Sequence, residues 1–164
     1  MFLKRLELFG FKTFSQKTEI DFTRGFLAVV GPNGSGKSNL TDAIRFCLGE
    51  QSVKAMRATK LDELVFAGTP SRKGCPYAEV TAIFDNEDQV LPLESPEVAI
   101  TRRLEVDGES KFFINRTQCR LRDIHELLMG SGIGPGSFSV LGGKEVDLVL
   151  SNDPKDRRQM LEET

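Results

Sequence analysis

Gly31-Pro32-Asn33-Gly34-Ser35-Gly36-Lys37-Ser38 is the stretch on which the reading of this chain turns. It satisfies the phosphate-loop pattern G-x-x-x-x-G-K-[ST] at every fixed position. The flanks agree with it. Residues 26–30, Phe-Leu-Ala-Val-Val, form a short apolar run that predicts a buried parallel strand. Residues 39–48 carry Leu40, Ala43, Ile44, Cys47 and Leu48 at helical spacing. Strand, glycine loop and helix together aim backbone N–H groups and a positive helix end at an anion. Gly31, Gly34 and Gly36 permit backbone conformations closed to other residues, so that the amides of residues 34–38 can wrap a phosphate. Lys37 is then placed to reach the β- and γ-phosphates, and the Ser38 hydroxyl to bind Mg²⁺.

Working outward, residues 2–9 and 18–22 alternate as strands, separated by a turn at 10–14 that holds two aromatics, Phe11 and Phe14. Downstream of the helix, 61–67 is apolar and 68–74 reads as an exposed loop. Residues 77–85, 97–106 and 110–114 alternate again, with Asp107-Gly108 as a hairpin signal. Residues 122–129 make a short helix, 130–136 a glycine-rich loop, and 137–141 a strand. Asn152-Asp153-Pro154 starts a helix that carries no stop signal before Thr164. The expected architecture is α/β: a mixed sheet around the phosphate-loop strand and helix, plus an antiparallel β lobe. Residues 1–151 form the main lobe, and 152–164 begin a helix that continues into a coiled coil.

Composition bounds the rest. With 164 residues the chain suffices for one domain. A formal net charge of -2 announces no nucleic-acid binder, so any basic surface is local. Three cysteines without a C-x-x-C pair and a single histidine, His125, argue against a zinc site and for reduced thiols in the cytosol. Neither a signal peptide nor a run long enough to span a membrane is present, so no membrane partner is expected. Arg102-Arg103 and Arg120/Arg122 could belong to a DNA-facing surface, but solvated strand faces are the preferred reading.

A phosphate loop binds nucleotide; hydrolysis needs more. Downstream of Ser38 no run of four apolar residues ends in Asp or Asp-Glu; Val80 to Asp85 comes nearest, but Thr81 and the alternation mark a half-exposed antiparallel strand, so the hydrolysis site is read as incomplete in this chain.

Several stretches in a fixed order carry a family resemblance. They are Gly10-Phe11-Lys12-Thr13-Phe14, the loop through Asn39, Asp42-Ala43-Ile44-Arg45, Leu48-Gly49-Glu50-Gln51-Ser52, Arg57, Phe66-Ala67-Gly68, Asn115 with Arg120-Leu121-Arg122-Asp123-Ile124, and Asp156-Arg157-Arg158. The chain resembles the N-terminal half of the ABC-type ATPase head of the SMC (structural maintenance of chromosomes) family, in its prokaryotic branch. The resemblance implies an ATPase whose head is completed by a C-terminal half returning after a long coiled coil. It implies a second head (a homodimer) that sandwiches ATP and Mg²⁺, kleisin-type accessory subunits, non-specific contact with double-stranded DNA, and a cytoplasmic, nucleoid-associated location. The function implied is ATP-driven chromosome condensation and segregation, with this piece inactive by itself. Carried over, Pro32, Asn33, Gly34, Ser35, Gly36, Lys37, Ser38 and Asn39 bind the triphosphate with Lys12 nearby. Lys37 and Arg57 act in catalysis, Arg57 lying over the nucleotide.

One departure stands out. The family's glutamine after the 137–141 strand aligns with Gly143, and Glu145 is the nearest oxygen ligand. Rival readings are a RecF- or RecN-like DNA-repair ATPase, a small P-loop phosphotransferase, and a nucleotide-gated clamp with little turnover.

Overall fold

Period-two alternation along the long segments becomes sheet. A computed structural model describes residues 1–133. The elements in order are β1 (Phe2–Phe9), β2 (Thr18–Asp21), α1 (Lys37–Cys47), a 3-10 turn (Leu61–Leu64), β3 (Gly68–Thr69), β4 (Arg72–Lys73), β5 (Tyr77–Asp85), β6 (Glu97–Glu105), β7 (Ser110–Ile114), β8 (Thr117–Cys119) and α2 (Leu121–Leu128). The strand expected at 137–141, the turn with Gly143 and Glu145, the helix expected from Asn152 and the boundary after 151 lie outside the described residues.

Six strands form one sheet in the order β2-β1-β5-β6-β7-β8, and each of these pairings is antiparallel. Register sets the core. Leu6, Ala82, Ile100 and Ile114 stand in one row, and Leu8, Val80, Arg102 and Phe112 in the next. Every second residue of β5 and β6 is buried on this face, as the pleat requires. α1 packs across β5 and β6 and buries Asp42, Ala43, Phe46 and Cys47. The Phe46 ring meets Phe11 at 5.2 Å between centroids, which ties the 10–14 turn to the helix. Gly10 makes that turn possible: its φ is +62°, and a Cβ there would lie 2.1 Å from the carbonyl oxygen of Tyr77.

Three features differ from the sequence expectations. Residues 26–30 form no strand; they are irregular, and Phe26 and Val30 are 96% and 86% exposed. The reason is pairing: among the described residues no strand lies alongside, and a lone extended segment has no partner for its backbone groups. The sheet is accordingly antiparallel throughout the described residues, and the phosphate loop follows an open segment. Second, the 68–74 loop contains the small β3–β4 hairpin. Third, Arg102 is no solvated strand residue. It is 4% exposed, its guanidinium stacks on Phe46 at 4.3 Å, and it donates to the carbonyls of Phe46 (3.3 Å) and Glu50 (2.6 Å) at the end of α1. A cation there answers the negative end of the helix, while burial pulls its pKa down to about 10. Arg103, on the opposite face, pairs with Glu79 at 2.6 Å and covers Tyr77, as a partly solvated strand residue does.

Cys47 is sealed between α1 and the sheet, its Sγ donating to the carbonyl of Ile100 at 2.9 Å. Burial pushes its thiol from 9.0 up to about 12. The native state therefore keeps this proton where an unfolded chain loses it. Its contribution is fully present below pH 9 and declines as pH rises toward 12. Arg102 works in the opposite direction above its own pKa of about 10, so the clean window lies between pH 9 and 10. There stability should fall by roughly 1 kcal/mol, and Cys47→Ala should remove most of the slope in denaturant titrations, the remainder belonging to Cys119, whose half-buried thiol is also raised. Iodoacetamide at neutral pH should leave Cys47 unmodified in the native protein.

Candidate functional site

The loop of residues 31–36 runs into α1 across two left-handed glycines, Gly34 (φ +80°) and Gly36 (φ +89°). Gly36 is the N-cap, with no capping side chain, and no acidic residue occupies the first turn. The amides of Gly34, Gly36, Lys37 and Ser38 donate to no acceptor among the described residues. Four free donors at the positive end of a helix form a cradle for an anion. Gly31 serves a different purpose: its φ is not left-handed, but a Cβ would press on Ser35 Oγ at 3.0 Å and touch Lys37 Cδ at 3.8 Å. Gly36 is needed twice, since a Cβ would meet Thr13 Oγ1 at 2.9 Å.

Lys37 is half-buried, and its ammonium donates to the carbonyls of Gly31 (2.6 Å) and Pro32 (2.7 Å). It is folded over the loop, and its charge has no carboxylate partner among the described residues. Ser38 is exposed in the first turn of α1, with its hydroxyl unbonded among the described residues. Pro32, Asn33 and Ser35 are exposed along the loop. These features fit a nucleoside triphosphate: free amides, an ammonium without a carboxylate partner among the described residues and space that a Cβ would fill. They fit Mg²⁺ in part, since Ser38 offers one oxygen and no group of three His, Cys, Asp or Glu among the described residues could hold a metal.

Beside the loop stands a second set. Asn39 Nδ2 donates to Thr13 Oγ1 at 3.0 Å, and Arg57 reaches Asn39 Oδ1 at 3.4 Å. Arg57 comes from the turn of residues 52–58, which Arg45 of α1 braces by donating to Ala55 O at 3.1 Å. Lys12 comes from the 10–14 turn, which is tied to the 61–66 segment by Lys12 N–H to Leu64 O (2.8 Å) and Phe66 N–H to Gly10 O (2.8 Å). Lys12 and Arg57 do not point freely into the loop. Both converge on Asp42: Lys12 Nζ and Arg57 Nη2 each lie 2.5 Å from Oδ2. A pocket of about 480 Å³ opens here, lined by Lys12, Thr13, Asn39, Arg57, Glu63 and Phe66 among others.

Lys12, Asn39 and Arg57 are thus brought together next to residues 31–38. Asp42 and Thr13 join this set without a local motif that marks them in the sequence. A signal for Asp42 existed: it sits one turn before Phe46 on the buried face of α1, where an acid is out of place unless it has a cation. The basic pair of α2 splits from that site. Arg120 pairs with Asp123 and Arg122 with Glu126, both on the surface. His125 packs near Gly49, its Nε2 buried without a partner among the described residues, and joins no metal cluster there. No helix among the described residues is long and apolar enough to cross a membrane.

The chain is 52% identical over 163 residues to the chromosome partition protein Smc of Clostridium kluyveri, covering 99% of this chain but 14% of that protein's length. It superposes with a TM-score of 0.92 and 38% identity on a chain solved for the structural biochemistry of ATP-driven dimerization and DNA stimulated activation of SMC ATPases, covering 99% of each. It also matches the Smc head domain with an extended coiled coil bound to the C-terminal domain of ScpA from Pyrococcus furiosus, with a TM-score of 0.88 and 38% identity over 98% of this chain and 40% of that one. The ABC-type head fold is common to these structures. The family model for the RecF/RecN/SMC N terminal domain matches residues 2–149, and the chain belongs to that family.

Proposed function

We propose that this chain is the phosphate-loop half of an SMC ATPase head, which binds ATP through Pro32, Asn33, Gly34, Ser35, Gly36, Lys37, Ser38 and Asn39 and is completed by a C-terminal half. Its role is ATP-driven chromosome condensation and segregation. The observation that carries this reading is the loop itself: among the described residues, four unpaired amides, an uncapped helix start and a lysine held by carbonyls alone. Lys37 neutralises phosphate charge, the amides of Gly34, Gly36, Lys37 and Ser38 orient the phosphates, while that of Ser35 is held by the Pro32 carbonyl at 3.3 Å, and Ser38 would supply one oxygen to Mg²⁺. The metal, when bound, neutralises charge on the transferring phosphoryl oxygens. Arg57, at the mouth of the adjoining pocket, is the candidate for a catalytic charge over the nucleotide.

The exposed run at 26–30 supports the two-part reading. Five apolar residues that carry no backbone pairing among the described residues and stand exposed form a segment that a neighbouring strand can cover. We assign that strand to the missing half, along with the carboxylate that this chain lacks. The P. furiosus relative is bound to ScpA, and the 0.92 match concerns ATP-driven dimerization. A kleisin-type subunit, a second head and double-stranded DNA are the partners proposed by analogy, with a nucleoid-associated location.

Amide hydrogen exchange tests the edge. Residues 26–30 should exchange rapidly in this chain alone and become protected by at least an order of magnitude when it joins the rest of the protein. Unchanged exchange in the assembled protein would remove the pairing role.

A further inference from the structure

We propose that Asp42 is a positioning residue: its carboxylate parks Arg57 beside the phosphate loop and yields it to the bound anion. This rests on the reading of residues 31–38 as a nucleotide site. Asp42 has one negative charge, and its side chain is 3% exposed. Two cations share it. Lys12 lies 2.5 Å from Oδ2 and also donates to Met56 O at 2.5 Å; its side chain is 12% exposed. Arg57 places Nη2 2.5 Å from Oδ2 and Nε 3.2 Å from both oxygens, yet its side chain is 50% exposed. Among the described residues neither cation pairs with another carboxylate.

The charge count is two against one, and burial decides which cation is spare. A buried ammonium without its counter-charge is costly, so Lys12 holds Asp42. Arg57 is half in water, where an ion pair contributes little and leaving it costs little. A guanidinium engages carboxylate and phosphate in the same forked geometry. Asp42 therefore stands in for a phosphate until one arrives. The backbones agree with a built device: Lys12 (φ +48°) and Arg57 (φ +53°) are both left-handed non-glycine residues, a conformation kept only where the surroundings enforce it. Both side chains line the pocket next to Asn39, the residue that follows Ser38.

The test is a double-mutant cycle on ATP affinity, measured by calorimetry in the full-length protein. Asp42→Asn keeps the shape and removes the competing charge. Parking predicts that it tightens ATP binding on the order of fivefold and that Arg57→Ala abolishes this gain. Loss of a nearby negative charge alone would leave the gain intact in the Arg57→Ala background, and that result, or no gain at all, overturns the proposal. If Asp42→Asn fails to fold, phenylglyoxal labelling of the wild type decides. ATP should slow modification of Arg57, read by peptide mass, by severalfold, and Lys37→Ala should remove this protection; equal rates with and without ATP overturn it. Lys37→Ala also separates the two levels: unchanged ATP affinity in that variant overturns the site reading itself and this proposal with it, whereas lost affinity together with a failed cycle overturns parking alone.

Discussion

Lys37→Ala is expected to lower ATP affinity by an order of magnitude or more while leaving the fold intact. Among the described residues the Lys37 ammonium donates to the carbonyls of Gly31 and Pro32 and to no other group, so its removal strands no buried charge. What is lost is an ammonium that has no carboxylate partner among the described residues. Charge-assisted contacts to phosphate are the strong ones, and a loop of neutral amides cannot replace them. The thermal midpoint should stay close to that of the wild type, since truncating a surface side chain away from the core usually changes stability by less than about 0.5 kcal/mol. Calorimetry with ATP and a melting curve check both halves. An unchanged affinity would remove the phosphate loop from the account.

Phe46→Ala should have the largest effect on stability, about 4 kcal/mol. Phe46 is fully buried on α1. Its ring packs against Phe11 at 5.2 Å on one side and carries the Arg102 guanidinium at 4.3 Å on another. Truncation opens a cavity and also uncovers a buried cation whose Nε already lacks a partner among the described residues. The 10–14 turn, which positions Lys12 and Thr13, hangs on the same contact. Loss of stability should therefore come with weaker nucleotide binding, even though Phe46 is remote from residues 31–36. Phe46→Leu, which keeps most of the volume, should cost less than half as much. Urea titrations of the three proteins rank them; equal midpoints would show that the contact between the turn and α1 is not what holds this end of the sheet.

Much of the fold is written in periodicity. Alternation at 77–85 and 97–106 marks β5 and β6 because one face of each is buried, and Asp107-Gly108 joins β6 to β7 in the tight turn its residues favour. The pattern failed where context overrides it. The β7–β8 turn uses Asn115 (φ +47°) and Arg116 (φ +68°), the left-handed pair of a two-residue hairpin. With no glycine in it, the turn gives little warning in sequence. Residues 26–30 have strand composition, but a strand needs a neighbour, and composition says nothing about who supplies it. Arg102 sits at a core position of β6 by register, which its charge disguised; two aromatic rings and the carbonyls of Phe46 and Glu50 accommodate it.

The site divides in the same way. Residues 31–38 were legible because a fixed spacing of glycines and a lysine is a local requirement. The convergence of Lys12, Asp42 and Arg57 was not, because it joins three segments through folding. Asp42 is the clearest case. Local sequence offers an acid in a helix, and only the packed structure supplies Lys12 from the 10–14 turn and Arg57 from the 52–58 turn.

We propose that this chain carries half of an ATPase and that the other half lies in the rest of the protein. Phosphate release from ATP tests it most directly, comparing residues 1–164 alone, the C-terminal portion of the full-length protein alone, and the two mixed. The account predicts negligible turnover by either piece, turnover in the mixture, and its loss when the mixture carries Lys37→Ala. Substantial turnover by residues 1–164 alone, abolished by Lys37→Ala, would contradict it.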